Sequence, residues 1–273
     1  MSTSEVVDMD KSQCPIGVFD SGVGGISVLR ELVKVLPKED FIYFGDSKNA
    51  PYGAKSLEEV QKLTVENIDM LVEKEGVKAI VVACNTATSA AITLLREKYK
   101  NMPVIGIEPA LKPAVLSTQN ARVLVMATPM TIQEEKFHQL MEHYKKQSTI
   151  YPLSCPGLPE LVEAGKLEGQ EVQDTLKFLL EPYIGKIDAI VLGCTHYPFL
   201  KKEISSLAGE QVKLFDGSYG TAKEVKRRLI EYKLINAVQK QGYVSIQNSL
   251  ENDIVAKLGE TLFYQLDDKS KSM

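Results

Sequence analysis

The sequence lacks the features that mark several classes of protein. No run of about 18 uninterrupted apolar residues occurs, so we expect no membrane-spanning helix. Lysine and arginine number 32 against 36 aspartate and glutamate, and the net charge of -4 gives no electrostatic reason to bind nucleic acid. The first residues, MSTSEVVDMD, lack the basic and then apolar layout of a signal peptide. We therefore expect a cytoplasmic protein that binds neither a membrane nor nucleic acid.

Cysteine is scarce and does not form a structural pattern. The chain has four cysteines, which are Cys14, Cys84, Cys155 and Cys194. They are widely spread and none belongs to a Cys-x-x-Cys pair, which argues against a disulfide scaffold. Cys194 and His196 stand close together, but no third ligand follows at a regular interval, as a zinc site would need. We expect no bound metal.

A glycine-rich turn is present but does not match a nucleotide-binding loop. Residues 22–25 read Gly-Val-Gly-Gly after an apolar run, and Asp46 ends the next one, which resembles a dinucleotide fingerprint. The third glycine is out of place, and Asp20 would set a negative charge beside the pyrophosphate. We expect the glycines to permit a tight turn from strand to helix.

Short apolar runs alternate with segments of helical periodicity along a chain that is 44% apolar. Residues 16–19, 41–44, 79–83 and 104–107 are typical of buried strands, and amphipathic segments separate them. This alternation predicts an α/β fold, with a mainly parallel sheet covered by helices.

The four-strand pattern then runs a second time. Residues 16–21 correspond to 123–128, 42–43 to 150–151, 79–84 to 189–194, and 104–107 to 212–215, at offsets of 107 to 110 residues. A nearly constant offset over four elements in one order predicts two similar parallel-sheet lobes related by a pseudo-two-fold axis. Two such lobes would enclose one active site in the cleft between them.

The lobes are predicted to be unequal because a tail follows the second one. We place the first lobe at residues 15–108 plus 216–266 and the second at residues 109–215. The boundary lies where two prolines interrupt the pattern, and the helical stretch after it is expected to pack back on the first lobe. Residues 1–14 and 267–273 are polar and are expected to form loose tails.

Polar residues follow the predicted strands at the ends where parallel sheets bind ligands. They are Asp20, Ser21, Asp46, Ser47, Cys84, Asn85, Thr86, Thr128, Ser154, Cys155, Cys194, Thr195 and His196. The repeat puts Cys84 and Cys194 at the same place in each lobe, ending a strand and opening a helix whose dipole favours a thiolate. We predict that these two thiols face one ligand from opposite sides. His196 is expected to take part in proton transfer, whereas Cys14 and Cys155 are expected to have no chemical role.

Four motifs resemble those of the aspartate/glutamate racemase family, and of its glutamate-specific members in particular. They are residues 19–25 (FDSGVGG), residues 45–47 (GDS) with 51–53 (PYG), residues 83–88 (ACNTAT) and residues 193–198 (GCTHYP). Their order along the chain matches that of the family, and the resemblance extends from about residue 16 to the helix beyond residue 215.

The resemblance implies interconversion of L- and D-glutamate by two cysteines without a cofactor. Cys84 would take the proton from D-glutamate and Cys194 from L-glutamate, because inversion needs a base on one face of Cα and an acid on the other. Asp20 would assist Cys84, and His196 would assist Cys194 together with Glu163. The substrate contacts that the resemblance implies are Asp20, Ser21, Tyr52, Gly53, Asn85, Thr86, Thr195 and His196.

The assignment of the helper glutamate is open in the sequence. The family carries a Cys-Pro segment that leads to a glutamate, and here residues 155–163 read CPGLPELVE. Glu163 is our choice, with Glu160 as the alternative. No lysine stands at a matching strand end to hold pyridoxal phosphate, so we expect no cofactor.

The family's usual purpose is to supply D-glutamate for bacterial peptidoglycan, and we expect a homodimer that acts on glutamate. Three alternatives stay open at this point. The chain could racemise another acidic amino acid such as aspartate, or it could be a non-enzymatic binding protein or an inhibitor of a partner such as DNA gyrase. A dinucleotide-dependent enzyme is the third, although a purely binding or dinucleotide-binding protein has no need of two reactive thiols.

Overall fold

The structure, a computed structural model, describes residues 10–264. The strands are β1 (Ile16–Asp20), β2 (Phe41–Gly45), β3 (Ala79–Val82), β4 (Val104–Gly106), β5 (Arg122–Ala127), β6 (Thr149–Ser154), β7 (Ala189–Leu192), β8 (Lys213–Asp216) and β9 (Val244–Asn248). The α-helices are α1 (Ile26–Val35), α2 (Leu57–Glu75), α3 (Asn85–Lys98), α4 (Leu111–Val115), α5 (Pro129–Gln133), α6 (Glu135–Tyr144), α7 (Leu158–Glu163), α8 (Gln170–Leu180), α9 (Lys201–Ala208), α10 (Ser218–Glu231) and α11 (Asp253–Tyr264).

The strands form two separate sheets in which every neighbouring pair is parallel. The first sheet has the order β4-β3-β1-β2-β9 and the second β6-β5-β7-β8. Every residue of β1, β3 and β7 is buried, as expected for central strands that helices cover on both faces. The predicted fold class, two parallel-sheet α/β lobes, is confirmed.

The strand order shows that the sequence repeat is also a structural repeat. If β5 to β8 replace β1 to β4, the first sheet's order β4-β3-β1-β2 becomes β8-β7-β5-β6, which is the second sheet's order in reverse. The match between residues 104–107 and 212–215 also holds, because β8 begins at Lys213, within one residue of its predicted start. Each strand end in the first sheet from β1 to β4 therefore has a counterpart in the second sheet.

The chain after β8 contains a strand that its sequence pattern does not predict. β9 pairs with β2 at the edge of the first sheet, and α11 lies against both β9 and α1. Residues 244–248 read Val-Ser-Ile-Gln-Asn and are only partly buried, so they lack the continuous apolar run by which the other strands were found. The exact lobe boundaries stay a prediction.

Local signals explain where the helices around the cleft begin. Ser56 caps α2 by accepting a hydrogen bond from the Glu59 amide at 3.2 Å, and Gly76 ends the helix with a φ of 62°. Thr128 caps α5 in the same way, ahead of Pro129 at its first position. Within residues 10–264, no helix combines the length and the apolar character needed to cross a bilayer.

Most of the predicted loose tails lies outside the described residues. Residues 1–9 and 265–273 belong to this undescribed part. The described end of the amino-terminal tail contains a short 3₁₀ turn, Lys11–Gln13, which Asp10 caps.

Candidate active site

The carboxyl ends of strands from both sheets converge on one pocket. Of the residues that the sequence singled out, Ser21, Tyr52, Gly53, Thr86, Glu163 and His196 line this pocket. The other five, Asp20, Cys84, Asn85, Cys194 and Thr195, are buried beside them. The structure thus brings together residues that are up to 176 positions apart in the chain.

Cys84 stands at the junction of β3 and α3 and caps the helix. Its sulfur accepts a hydrogen bond from the amide of Ala87 at 3.4 Å and lies 3.4 Å from the hydroxyl of Ser21. No hydrogen bond joins it to Asp20 within the described residues, although Asp20 is the predicted helper. Instead the Asp20 carboxylate accepts from the Gly22 amide at 2.8 Å and from the Thr195 hydroxyl at 3.0 Å.

Burial and charge act together on Cys84. Loss of solvent and the nearby Asp20 carboxylate raise the pKa of the Cys84 thiol to about 12, although Ser21 and the Ala87 amide oppose the shift. Burial likewise raises the pKa of Asp20, and His196 partly offsets this effect. Without a ligand, Cys84 is therefore a protonated thiol at neutral pH.

Cys194 has different partners, which form a line of three side chains. The Cys194 sulfur lies 3.5 Å from Nδ1 of His196, and Nε2 of the same ring lies 2.8 Å from Oε1 of Glu163. Cys194 follows β7, His196 lies in the turn after it, and Glu163 ends α7. The ring is therefore held between sulfur and carboxylate.

The charges along this line favour an imidazolium. Burial by itself would lower the pKa of His196, but Cys194 and the Glu163 carboxylate outweigh it and raise that pKa well above its usual value. Burial would raise the pKa of Glu163, yet its hydrogen bond and charge interaction with His196 produce a net lowering. These shifts favour a cationic ring beside Cys194 and an ionised carboxylate behind the ring.

Helix geometry also differs after the two cysteines. α3 begins directly after Cys84, as predicted, whereas Cys194 is followed by a short 3₁₀ turn, Tyr197–Leu200, and α9 begins only at Lys201. The expected helix opening at Cys194 is therefore wrong. Pro198 has no backbone N–H to donate, which is tolerated in the first turn of a helix. The turn leaves His196 beside the sulfur of Cys194.

The glycine turn between β1 and α1 packs directly on the helper residues. A Cβ added at Gly22 would lie 1.8 Å from Oε1 of Glu163, and one at Gly24 would lie 2.4 Å from Nδ1 of His196. Neither glycine has a positive φ. The motif is therefore explained by close approach, since a side chain at either position would displace the Glu163–His196 pair.

The structure separates the two candidate glutamates. Glu163 accepts hydrogen bonds from the Val23 amide at 2.7 Å, from the Ser47 hydroxyl at 3.0 Å and from His196. Glu160 lies at the pocket rim and is exposed to solvent. Of these two glutamates, Glu163 is the one that hydrogen-bonds to His196.

Three threonine hydroxyls meet at the pocket, where Thr86 and Thr128 line the wall and Thr131 lies behind them. Oγ1 of Thr86 lies 2.9 Å from Oγ1 of Thr128 and 3.3 Å from that of Thr131. Our predicted substrate contacts included neither Thr128 nor Thr131. The repeat contained a signal for Thr128, because it stands at the position that corresponds to Ser21.

The remaining predicted contacts are positioned by buried polar groups. Tyr52 donates a hydrogen bond to Asp46 at 2.7 Å. Gly53 packs closely on Thr128, since a Cβ added at Gly53 would lie 2.8 Å from the Cβ of Thr128. Asn85 is buried, and its side-chain oxygen has no hydrogen-bond partner among residues 10–264. Buried polar atoms are rarely left unpaired, so this oxygen is a candidate acceptor for a ligand N–H.

Across the part of the chain that the structure describes, no three His, Cys, Asp or Glu side chains are grouped so that they could hold a metal ion. Both ring nitrogens of His196 already face partners, a sulfur and a carboxylate. Cys155 borders the pocket, and its fully buried thiol has a pKa that burial and Cys194 raise.

Known proteins share both the sequence and the fold of this chain. Residues 16–224 match the family described as Asp/Glu/Hydantoin racemase. A glutamate racemase of Clostridium novyi is 56% identical over 246 residues, which cover 90% of this chain and 95% of the relative. One of Clostridium acetobutylicum is 56% identical over 249 residues, covering 91% and 96%.

Solved structures agree with the sequence comparison. The crystal structure of glutamate racemase from Francisella tularensis in complex with D-glutamate superposes with a TM-score of 0.80 at 33% identity, covering 92% of this chain and 94% of that one. The Escherichia coli enzyme in complex with L-glutamate and the activator UDP-MurNAc-ala gives 0.79 at 30% identity, covering 94% and 95%. The chain belongs to the Asp/Glu/hydantoin racemase family.

Proposed function

We propose that this protein is a glutamate racemase, an isomerase that interconverts L- and D-glutamate by two-base proton transfer without a cofactor. The observation that supports the proposal is a pair of buried thiols, Cys84 and Cys194, which follow corresponding strands of the two sheets and lie beside residues that line one pocket. Relatives that are 56% identical over almost their whole length are glutamate racemases, which supports glutamate as the substrate.

The two thiols fit the stereochemical requirement of the reaction. Starting from L-glutamate, a Cys194 thiolate takes the Cα proton, and the Cys84 thiol then gives its proton to the opposite face of the resulting carbanion. The products are D-glutamate, a Cys194 thiol and a Cys84 thiolate, and the reverse reaction uses the same groups with roles exchanged. Because a Cα–H beside a carboxylate is a very weak acid, orientation and charge stabilisation must lower the barrier.

On the Cys194 face, His196 and Glu163 supply the charge. An imidazolium 3.5 Å from the sulfur can stabilise a thiolate, and Glu163 holds the ring in place through its other nitrogen. This arrangement prepares the protein to deprotonate L-glutamate.

On the Cys84 face, Asp20 is proposed to act through the substrate. A bound ammonium group paired with Asp20 would neutralise the carboxylate charge that raises the pKa of Cys84. Substrate binding would thereby help Cys84 to become a base for D-glutamate. Ser21 and the Ala87 amide are placed to stabilise the resulting thiolate.

The substrate contacts are proposed to come from polar groups around the pocket. Hydroxyls and amides of Ser21, Asn85, Thr86 and Thr195 can hold the two carboxylates and the ammonium of an acidic amino acid. Tyr52 and Gly53 would close the pocket from the side of α2, and His196 would contact the α-carboxylate side of the substrate.

Circular dichroism of the purified, reduced protein with L-glutamate, and separately with D-glutamate, tests the function. We expect both signals to decay to zero without added cofactor. Unchanged signals from folded protein would contradict the proposal. Aspartate in the same assay addresses the second acidic substrate, and we expect a much lower kcat/KM because the shorter side chain leaves buried donors unpaired. The aspartate racemase of Picrophilus torridus, at 15% identity and a TM-score of 0.55, shares the fold alone.

The biological setting completes the proposal. We infer that the protein supplies D-glutamate for peptidoglycan in the cytoplasm and that it forms a homodimer. Analytical ultracentrifugation of the full chain measures the dimer directly, and a monomer at micromolar concentration would contradict that part.

A further inference from the structure

The oxygen of Glu163 that does not contact His196 has its own partner in the first lobe. The hydroxyl of Ser47 donates to Oε2 of Glu163 at 3.0 Å, and Nδ2 of Asn248 donates to the Ser47 oxygen at 2.9 Å. Ser47 follows β2, and Asn248 ends β9, which lies beyond the residues that match the family. A chain of hydrogen bonds therefore runs from the carboxy-terminal strand to the helper of Cys194.

The direction of these hydrogen bonds is determined by their neighbours. The side-chain oxygen of Asn248 accepts from the Leu250 amide at 2.9 Å, so the nitrogen of Asn248 must be the atom that faces Ser47. The Ser47 oxygen is then an acceptor toward Asn248, and its single proton is left for Glu163. Each donor in the chain thus has one available acceptor.

The carboxylate of Glu163 is held from three sides. The Val23 amide and His196 bind Oε1, and Ser47 binds Oε2. The Ser47 hydrogen bond is one of the contacts that lower the pKa of Glu163. Without it, one oxygen could turn away from the ring, and the carboxylate would be a weaker partner for the imidazolium.

We propose that Ser47, oriented by Asn248, is a positioning residue that holds Glu163 against His196 and so serves the Cys194 face alone. The proposal rests on the proposed racemase function. Cys84 has separate contacts, Ser21 and Ala87, and neither belongs to this chain of hydrogen bonds. Loss of the Ser47 hydroxyl should therefore slow proton removal from L-glutamate more than proton removal from D-glutamate.

The overall kcat/KM cannot reveal such a one-sided effect, because the two enantiomers are equal in free energy and the ratio of the two kcat/KM values must stay at one. Deuterium isotope effects can reveal the one-sided effect. If proton transfer at Cys194 becomes the slower step, kcat/KM for 2-deuterated L-glutamate shows a larger isotope effect, and that for 2-deuterated D-glutamate a smaller one. A general loss of structure would lower the rate without this asymmetry.

The experiment measures both isotope effects in the wild type and in four full-length variants. In Ser47→Ala we expect kcat/KM to fall roughly tenfold, the size of one lost hydrogen bond to a charged group, with the asymmetry described. Ser47→Thr keeps the hydroxyl and should restore wild-type behaviour. Asn248→Asp replaces the donor by an acceptor that competes with Glu163 for the Ser47 proton, and should resemble Ser47→Ala.

The matched control is Ser249→Ala. Ser249 joins the same two segments, since its hydroxyl accepts from the Lys48 amide at 2.9 Å, but it does not touch Glu163. We expect wild-type rates and symmetric isotope effects in this variant. An unchanged rate or symmetric isotope effects in Ser47→Ala would overturn the proposal, and wild-type behaviour of Asn248→Asp would remove Asn248 from it. If the wild type itself fails to racemise glutamate, the proposed function is what has failed.

Discussion

Cys84 and Cys194 occupy corresponding positions in two lobes of the same strand order, yet their surroundings have opposite character. Cys84 has only neutral hydrogen-bond partners, Ser21 and the Ala87 amide, and burial together with the nearby Asp20 carboxylate raises its pKa to about 12. Cys194 lies 3.5 Å from a histidine whose pKa is raised well above its usual value. The repeated fold puts the two thiols at corresponding positions, but different neighbours give Cys84 a nearby carboxylate and Cys194 a nearby histidine.

The largest expected effect comes from removing either sulfur. Cys84→Ser and Cys194→Ser should each lower racemisation by about 10²–10⁴-fold, because a hydroxyl ionises far less readily than a thiol. Each variant should still remove the Cα proton from one face of a substrate, because one thiol remains. Cys194→Ser should eliminate a leaving group only from D-configured analogues, and Cys84→Ser only from L-configured ones.

Chiral elimination assays on both serine variants check this prediction. Equal processing of both enantiomers by both variants would show that the two faces are not separate, even if the protein is a racemase. Wild-type protein that eliminates from both enantiomers serves as the control.

Substitution of the helper residues, His196 and Asp20, should also affect one face more than the other, with a smaller loss of kcat/KM. We expect His196→Asn and Asp20→Asn to lower kcat/KM by about 10²-fold, at the lower end of what a positioned proton-transfer partner contributes. His196→Asn should enlarge the isotope effect with 2-deuterated L-glutamate, and Asp20→Asn that with 2-deuterated D-glutamate. Isotope effects that change equally for both enantiomers in both variants would contradict the assignment of one helper to each face.

The two glutamates give a sharper test of the Cys194 face. Glu163→Gln should cost roughly tenfold in kcat/KM, because the amide cannot serve as a charged acceptor for His196, Val23 and Ser47. Glu160→Gln changes an exposed group in the same short helix and should leave the rate within a factor of two, on the order of other surface changes. A larger loss in Glu160→Gln than in Glu163→Gln would assign the helper role to Glu160 instead.

The smallest expected effect is on stability at high pH. Folding raises the pKa of Cys84 from its usual value of 9.0 to about 12, so its contribution to stability is complete below pH 9.0 and is lost as pH rises toward 12. By pH 10 the wild type should have lost about 1 kcal/mol relative to Cys84→Ser, whose hydroxyl does not titrate there. Urea unfolding of both proteins between pH 7 and pH 10 measures this difference, and parallel curves would show that the thiol is not buried as described.

The amino-acid sequence by itself determined the architecture and the identity of most groups at the site. Apolar runs such as those ending at Asp20 and Cys84 form strands because of their own composition, and parallel strands bring their carboxyl ends to one edge. The repeat then located Cys194, and it puts Thr128 at the strand end that corresponds to Ser21. These signals are local, or they are copies of one another, so they can be read without knowledge of the fold.

Only the tertiary structure decided which groups touch. Glu163 meets His196 across 33 residues of sequence and the Val23 amide across 140, and no local pattern distinguishes it from Glu160. The same holds for Asn248, which reaches Ser47 across 201 residues because β9 adds to the sheet beside β2. Such contacts depend on how the helices and strands pack, and a side chain's partners follow from that packing rather than from its neighbours in the chain.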